Sequence, residues 1–544
     1  MKNTVLCICG LIMSVVLMAE ERPKTDWGYI KATLESNDAF YVKDAANGFD
    51  PADYPYLDGD RYASNNYLKV DYYKGRLSAG MQVEGYFPTL IGYPISKSML
   101  SLSNLYVSWK DKSYSVTAGS FYDQFGSGLL FRSWEDRMLG LNNALLGVRA
   151  TYNWEDKIAA KVFYGMPRLD KFGDNAQLGY KADIFGLGLA DVHVAGADVS
   201  ISLSEFLDMD GVNLSVEGSV LDKYEVLDEL YKSLGCNGNT IGWSGRANFE
   251  YDGFFVKGEY VNTGKLSTTS DAGNAQLVEF GYNGKGLGVS VTGRRLENMK
   301  QKVYNHSALL PEYGSQVNIL SYMPAMTSQY TYMLMTLNPY NPKVDGEIGG
   351  QMDAFYNFRR GTKIGGKRGM RVHANFSTYY TLDQNGKASG GHFVYRDFSL
   401  DVEKQWTKKF KTTIMYMTQK YDYSSSEFSK PIHVVVADML YKWSSKLSTR
   451  MELQYLATED VQGDWLAGLL EVNFAPHWSV FASDMWNHGS TKTHYYNAGL
   501  SYTIENLRVA AGYGRYKKGY ICSGGVCRTI PAYTGANLAL TVSF

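Results

Sequence analysis

The chain has 544 residues, with 54 Lys+Arg against 55 Asp+Glu and a formal net charge of −1. That balance excludes the basic footprint a nucleic-acid partner requires. Only 13 Pro stand against 55 Gly and 43 Tyr, and aromatics reach 14%. With no linker or charge block to divide it, the chain reads as one large aromatic-rich all-β body rather than several soluble domains.

Residues 1–19 carry Lys2, an apolar run from Val5 to Met18, and Ala19 before Glu20-Glu21. This pattern predicts a secretory signal peptide, too short to span a bilayer, leaving 20–544 as a single domain. Cys7 and Cys9 sit inside the apolar run without a lipobox. The first long connection, 37–65, holds Asp38, Asp44, Asp50, Asp53, Asp58 and Asp60. Calcium needs six to eight oxygen ligands, but this spacing fits no known loop, so no metal is assigned.

The next distinctive segment opens with Phe121-Tyr122-Asp123-Gln124-Phe125-Gly126-Ser127-Gly128 and continues through Arg132, Glu135, Asp136 and Arg137. A charged constriction inside a lumen is one reading of Asp123, Gln124, Arg132, Glu135, Asp136 and Arg137. The favoured one is a network fastening a loop to a barrel wall, because charges inside a barrel pair. No Lys-Ser/Thr follows the glycines, which removes a phosphate cradle.

Further on, Val212, Leu214, Val216, Gly218 and Val220 alternate with Asn213, Ser215, Glu217 and Ser219. Such period-2 alternation predicts a strand with one apolar and one polar face. It recurs at Thr449–Tyr455 and at the C-terminus, where Leu538, Leu540, Val542 and Phe544 alternate with smaller or polar residues. Between them lies the longest connection, 297–345, with Tyr322, Met323, Met326, Tyr330, Tyr332, Met333, Met335 and Tyr340. Its apolar content argues against disorder. Tyr322, Met326, Tyr330, Tyr332, Met333 and Tyr340 therefore either plug the lumen, contact a partner, or pack on the wall. His488 and His494 bracket a later loop but lack a third metal ligand. Cys522 and Cys527 flank Gly524-Gly525, and in an oxidising compartment they predict a small disulfide loop worth roughly 2 kcal/mol; Cys236 is left unpaired.

Connection lengths decide what kind of sheet this is. Short polar turns (Lys74-Gly75, 110–112, 155–157, Asp252-Gly253, Asn283-Gly284, 407–409, Ser444-Ser445, Pro476-His477, Glu505-Asn506) alternate with long connections such as 166–192, 222–239, 421–430 and 515–535. Alternation of this kind predicts a transmembrane antiparallel up-and-down barrel of about 24 strands, in the range 20–24, with short periplasmic turns and long external loops. Trp109, Trp154, Tyr251, Tyr282, Trp406, Trp443, Trp478 and Tyr502 lie beside the short turns, as an aromatic girdle requires. Closure predicts pairing of 536–544 with roughly 27–36, since lipid leaves no partner for an open edge.

The segments GSFYDQFGSGLLFRSWEDRMLG (119–140), SYMPAMTSQYTYMLMTLNPYNP (321–342) with the following GEIGGQMDAFYNF, and CSGGVCRTIPAYTG (522–535) resemble an uncharacterised, porin-like family of outer-membrane β-barrels of the Bacteroidota. The resemblance implies an outer-membrane barrel and no established activity. The expected partners are outer-membrane lipid and the barrel-assembly machinery, reached through the strand ending in Phe544; both termini are expected in the periplasm of a Gram-negative bacterium. Eight scattered His and the absence of GxSxG or HExxH motifs point away from an enzyme, and no cofactor is expected. The leading expectation is a channel for small solutes with loops obstructing the lumen. The alternative is a non-conducting scaffold that docks surface lipoproteins or a larger assembly.

Overall fold

A computed structural model of the chain describes residues 27–93, 100–169, 182–184, 187–304, 319–383, 391–422 and 430–544. The expected signal segment, 1–19, lies outside the described residues. Strands β1 to β8 are Tyr29–Tyr41, Tyr62–Lys74, Leu77–Tyr86, Leu100–Lys110, Tyr114–Phe121, Leu145–Trp154, Ile158–Pro167 and Val192–Ser202. Strands β9 to β16 are Val212–Glu225, Asn239–Tyr251, Phe254–Asn262, Asn274–Gly284, Leu287–Glu297, Gly346–Phe358, Met370–Thr381 and Phe393–Gln405. Strands β17 to β24 are Phe410–Tyr421, Ile432–Lys442, Leu447–Thr458, Trp465–Phe474, Trp478–Asn487, His494–Ile504, Leu507–Tyr516 and Tyr533–Ser543.

Each strand pairs antiparallel with its sequence neighbour, and β24 returns to β1, closing a 24-stranded barrel. Closure leaves no row of unpaired amides, the condition for a sheet that faces lipid. The seam runs from Thr33 opposite Ser543 to Tyr41 opposite Gly535. It therefore sits several residues later on β1 than expected. Asn37 and Asp38 read as the start of a loop, but they continue the strand, opposite Asn65 and Ser64 of β2.

Alternation resolves with the apolar face outward. Val216, Val220, Met451, Leu453 and Leu538 are exposed on the outside, while Glu217, Ser219, Glu452 and Gln454 turn inward and are buried or half-buried. Aromatics ring the short-turn end as expected: Trp109, Trp154, Tyr251, Trp406, Trp443 and Trp478 are exposed, and Trp478 lies 4.6 Å from Tyr502. Short turns are built where positive φ is tolerated, as at Asp252 (φ 46) and Gly253 (φ 82), the geometry of a two-residue hairpin. The turn expected at Asn283-Gly284 falls instead on Lys285 (φ 52) and Gly286 (φ 86). A two-residue slip keeps every side chain on its face, so the apolar pattern cannot distinguish the two turns.

The termini and short turns share one end, and the long loops share the other. Two connections at the short-turn end, 203–211 and 359–369, are longer than their fellows. One contains a helical turn, Leu203–Phe206. The other is held by the Lys404 ammonium, which donates to the carbonyls of Ile364 and Gly365. At the opposite end, the acidic first loop spends its carboxylates locally. Asp44 and Asp50 accept from the amides of Ala46 and Ala52, capping short 3₁₀ turns, and Asp44 pairs with Arg515 at 2.8 Å. Burial pulls the Asp44 carboxyl up, but hydrogen bonds from Arg515 and Thr534 outweigh it and hold it below the usual carboxylate range. Among the described residues no group of three or more His, Cys, Asp or Glu converges as a metal site. His494 stacks on Trp486 and pairs with Asp484 at 2.6 Å, while His488 stacks on Tyr455. Cys236 is buried and free.

Candidate functional site

With strands about 4.8 Å apart and tilted about 40°, 24 of them enclose a backbone diameter of roughly 45–50 Å. An empty bore of that width would pass almost any metabolite, so the chemistry of this protein lies in what fills it. Three long loops, 122–144, 298–345 (through its described residues 298–304 and 319–345) and 517–532, turn inward and meet.

The first is clamped by both apolar and charged contacts. Phe125, Leu129, Leu130 and Phe131 are fully buried against Phe121, Phe163, Val194 and Leu221 of the wall. Burying side chains of this size stabilises by about 1.5–3 kcal/mol each. Gly126 (φ 49) lets the loop pass over Arg246 and Glu259, where a Cβ would lie 2.5 Å from the Arg246 side chain. The Asp123 carboxylate, 2% exposed, accepts from Arg149 Nε at 2.5 Å and Lys161 Nζ at 2.8 Å. Arg137 donates to Glu35 at 2.5 Å and Glu135 at 3.0 Å while stacking over Tyr67. Arg132 lies over the Tyr322 ring at 3.9 Å, Asp136 accepts from the Leu139 amide, and Gln124 donates to the Gly126 carbonyl. All six polar residues singled out in this segment are thus engaged within the loops or with the wall. Arg137 also lines an open cavity, so the fastening and lining readings meet in one residue.

The second loop runs along the inner face of the adjoining wall, from β14 to β20. Tyr330 donates to Asp397, Tyr332 to Asp438 at 3.1 Å, and the Leu334 amide to Gln454 at 3.0 Å. Met326 offers its carbonyl to the Tyr379 hydroxyl, and Met333 packs beside Leu334 and Met335. Those two leucine and methionine side chains sit against Met415, Met417, Val434, Val436, Leu456 and Trp465. Tyr340 is sandwiched between Tyr379 (4.8 Å) and Tyr395 (4.4 Å) and donates to Glu347. The six Tyr and Met candidates of this loop are thus buried or half-buried, in contact with the wall or with the neighbouring loops.

The third loop is a hairpin, Gly519–Ser523 with Val526–Ile530, bridged by the Cys522–Cys527 disulfide across one register pair. Its tip touches the second loop: the Met323 amide donates to the Gly524 carbonyl at 2.8 Å, and a Cβ on Gly524 would lie 2.2 Å from the Tyr322 ring. The first and second loops are stitched together by Arg132 N to Leu320 O and Tyr322 N to Gly128 O. Trp134, Leu139, Leu141, Ile319 and Val526 give all three loops a common apolar core.

One arc of wall escapes this filling. Inward positions on β21 to β24 include a run of small residues, Ser479, Ser483, Gly499, Ser501, Ala510, Gly512, Gly514 and Ala539, set among the larger Phe481, Arg508, Tyr516 and Tyr533. Beside them lies a cavity of about 770 Å³, bounded by Glu35, Arg137, Glu471, Arg508, Arg528 and Tyr533 among others. The cavity lies to one side of the bore, next to these strands.

The residues that anchor the second loop were not identifiable beforehand. Arg294 and Glu347 form a pair buried to 1% and 0%, with Arg294 also donating to the Pro324 carbonyl at 2.5 Å. They stand on β13 and β14, at either end of the loop, and no motif links them. The apolar wall did carry a signal: Val434, Val435 and Val436 are consecutive, so β18 is apolar inside as well as outside.

A closed, antiparallel, lumen-plugged sheet of this size is an outer-membrane-type β-barrel. The chain belongs to the family described as a family of unknown function, DUF6029, whose model matches residues 1–544. No curated protein matches it. Among solved structures it is similar to the translocation pore of the P pilus usher PapC, at 8% identity over 95% of this chain and 99% of that one, with a TM-score of 0.45. It is also similar to the siderophore receptor PirA from Pseudomonas aeruginosa, at 9% identity over 96% and 81%, with a TM-score of 0.40. A Rhodopseudomonas blastica porin matches at 15% identity over 57% and 93%, with a TM-score of 0.27.

Proposed function

We propose that the protein is a restricted channel for small solutes in the outer membrane of a Gram-negative bacterium, not an enzyme. The observation that carries this reading is the open cavity beside the loops, where Ser479, Ser501, Ala510, Gly512 and Ala539 of β21 to β24 leave room between larger side chains. Orientation follows from the asymmetry of the connections, with short turns and both termini periplasmic and long loops outside.

A second reading has its own support. The apolar seating of Leu334 and Met335 on the wall is built like a core, and a permanently seated plug suits a non-conducting barrel that docks a surface lipoprotein on its external loops. Purified protein in a planar bilayer separates the two. Small, steady, ohmic steps are the expected result. A silent bilayer containing folded, heat-modifiable protein would favour the scaffold.

A further inference from the structure

Two residues at the upper end of the cavity each hold a buried hydrogen-bond donor that has no acceptor among the described residues. Asn65, 2% exposed on β2, accepts the Leu90 amide at 3.0 Å through Oδ1. That bond fixes which end of the amide is which, and its Nδ2 is buried without a partner. Arg528, on the disulfide hairpin, donates Nε to the Met138 carbonyl at 2.9 Å and stacks over the Tyr93 ring at 3.7 Å. Its Nη1 is also buried without a partner. Both residues flank the same short segment, 90–93, and both line the cavity.

The carboxylates along this cavity are already occupied. Glu35 is paired with Arg137, Asp38 accepts from the Tyr62 and Ser36 hydroxyls, and Glu471 accepts from the Asn473 amide. Among the described residues, no carboxylate forms an ion pair with Arg528. Burial weighs against its charge and pushes the guanidinium down from its usual value. A guanidinium and an amide, both with unspent donors, fit a planar or tetrahedral oxyanion better than a neutral group. The stacked Tyr93 holds the guanidinium plane in place.

We propose that Arg528 and Asn65 form an oxyanion-binding site at the head of the lumen cavity, taking a small solute that carries a carboxylate or a phosphate. As a binding site it stands on this geometry; as the selectivity of a conduit it rests on the channel reading above.

Isothermal titration of the detergent-purified full chain tests it, with inorganic phosphate and succinate as probes and sucrose as the neutral control. Saturable heat from at least one oxyanion and none from sucrose is expected, and the stronger of the two identifies the headgroup. Arg528→Gln should weaken that binding about tenfold or more, while Arg528→Lys keeps the charge and retains part of it. Unchanged heat-modifiability of both variants shows that the barrel still folds. No saturable binding by either probe, or Arg528→Gln binding like the wild type, would overturn the site. Binding with silent bilayers keeps the site and sinks the channel; ohmic steps without binding do the reverse.

Discussion

Excising residues 325–339 and joining Pro324 to Tyr340 through a short Gly-Ser linker opens the lumen and raises single-channel conductance several-fold. The join is geometrically cheap. Pro324 accepts from Arg294, Tyr340 donates to Glu347, and Arg294 and Glu347 are themselves paired, so both cut ends are already held at one point on the wall. The excised stretch contains the side chains that reach β16 to β20: Tyr330, Tyr332, Leu334 and Met335. Its loss leaves Met415, Val434, Val436 and Leu456 facing water. That weakens the barrel without opening its seam, because the ladder bonds of β17 to β20 do not involve the loop. Conductance equal to the wild type would mean that this loop is not the obstruction.

Arg294→Met destabilises the protein by about 3–5 kcal/mol, because it leaves the Glu347 carboxylate buried without its counter-ion. The remaining donors to Glu347 are the Tyr340 hydroxyl and the Lys343 amide at 2.8 Å. Neither carries charge. The change is read as a lower midpoint of urea-induced unfolding in detergent, by loss of the heat-modifiable band. Adding Glu347→Gln should restore much of the loss, since removing both charges also removes the penalty of isolating one. An unchanged midpoint in the single variant would show that the pair carries no structural weight.

The barrel was legible because its two signals are local. Alternation at 212–220 or 449–455 needs only neighbouring residues, and the lengths of turns and loops need only counting. Closure was legible in kind and shifted in register, since polar Asn37 and Asp38 look like a loop until their partners on β2 are known. The plug was legible only as an oversized, Tyr- and Met-rich connection. Where it docks was written in β18, whose consecutive valines contradict a strand with a water-filled inner face. The anchors were out of reach: Arg294 and Glu347 lie 53 positions apart, and only the fold places them together. Arg528 lay within a segment noted for its cysteines, and its lack of a carboxylate partner is a property of space, not of spacing.

The central claim is that solutes pass along the small-residue arc of β21 to β24, beside a seated plug. Single-channel recording of Ala510→Trp beside the wild type tests it most directly, because Ala510 faces inward between Ser501 and Ala539 and borders the cavity. An indole there should reduce or abolish the wild-type steps while the barrel stays folded and heat-modifiable. Steps of undiminished size would place the passage elsewhere and contradict the account.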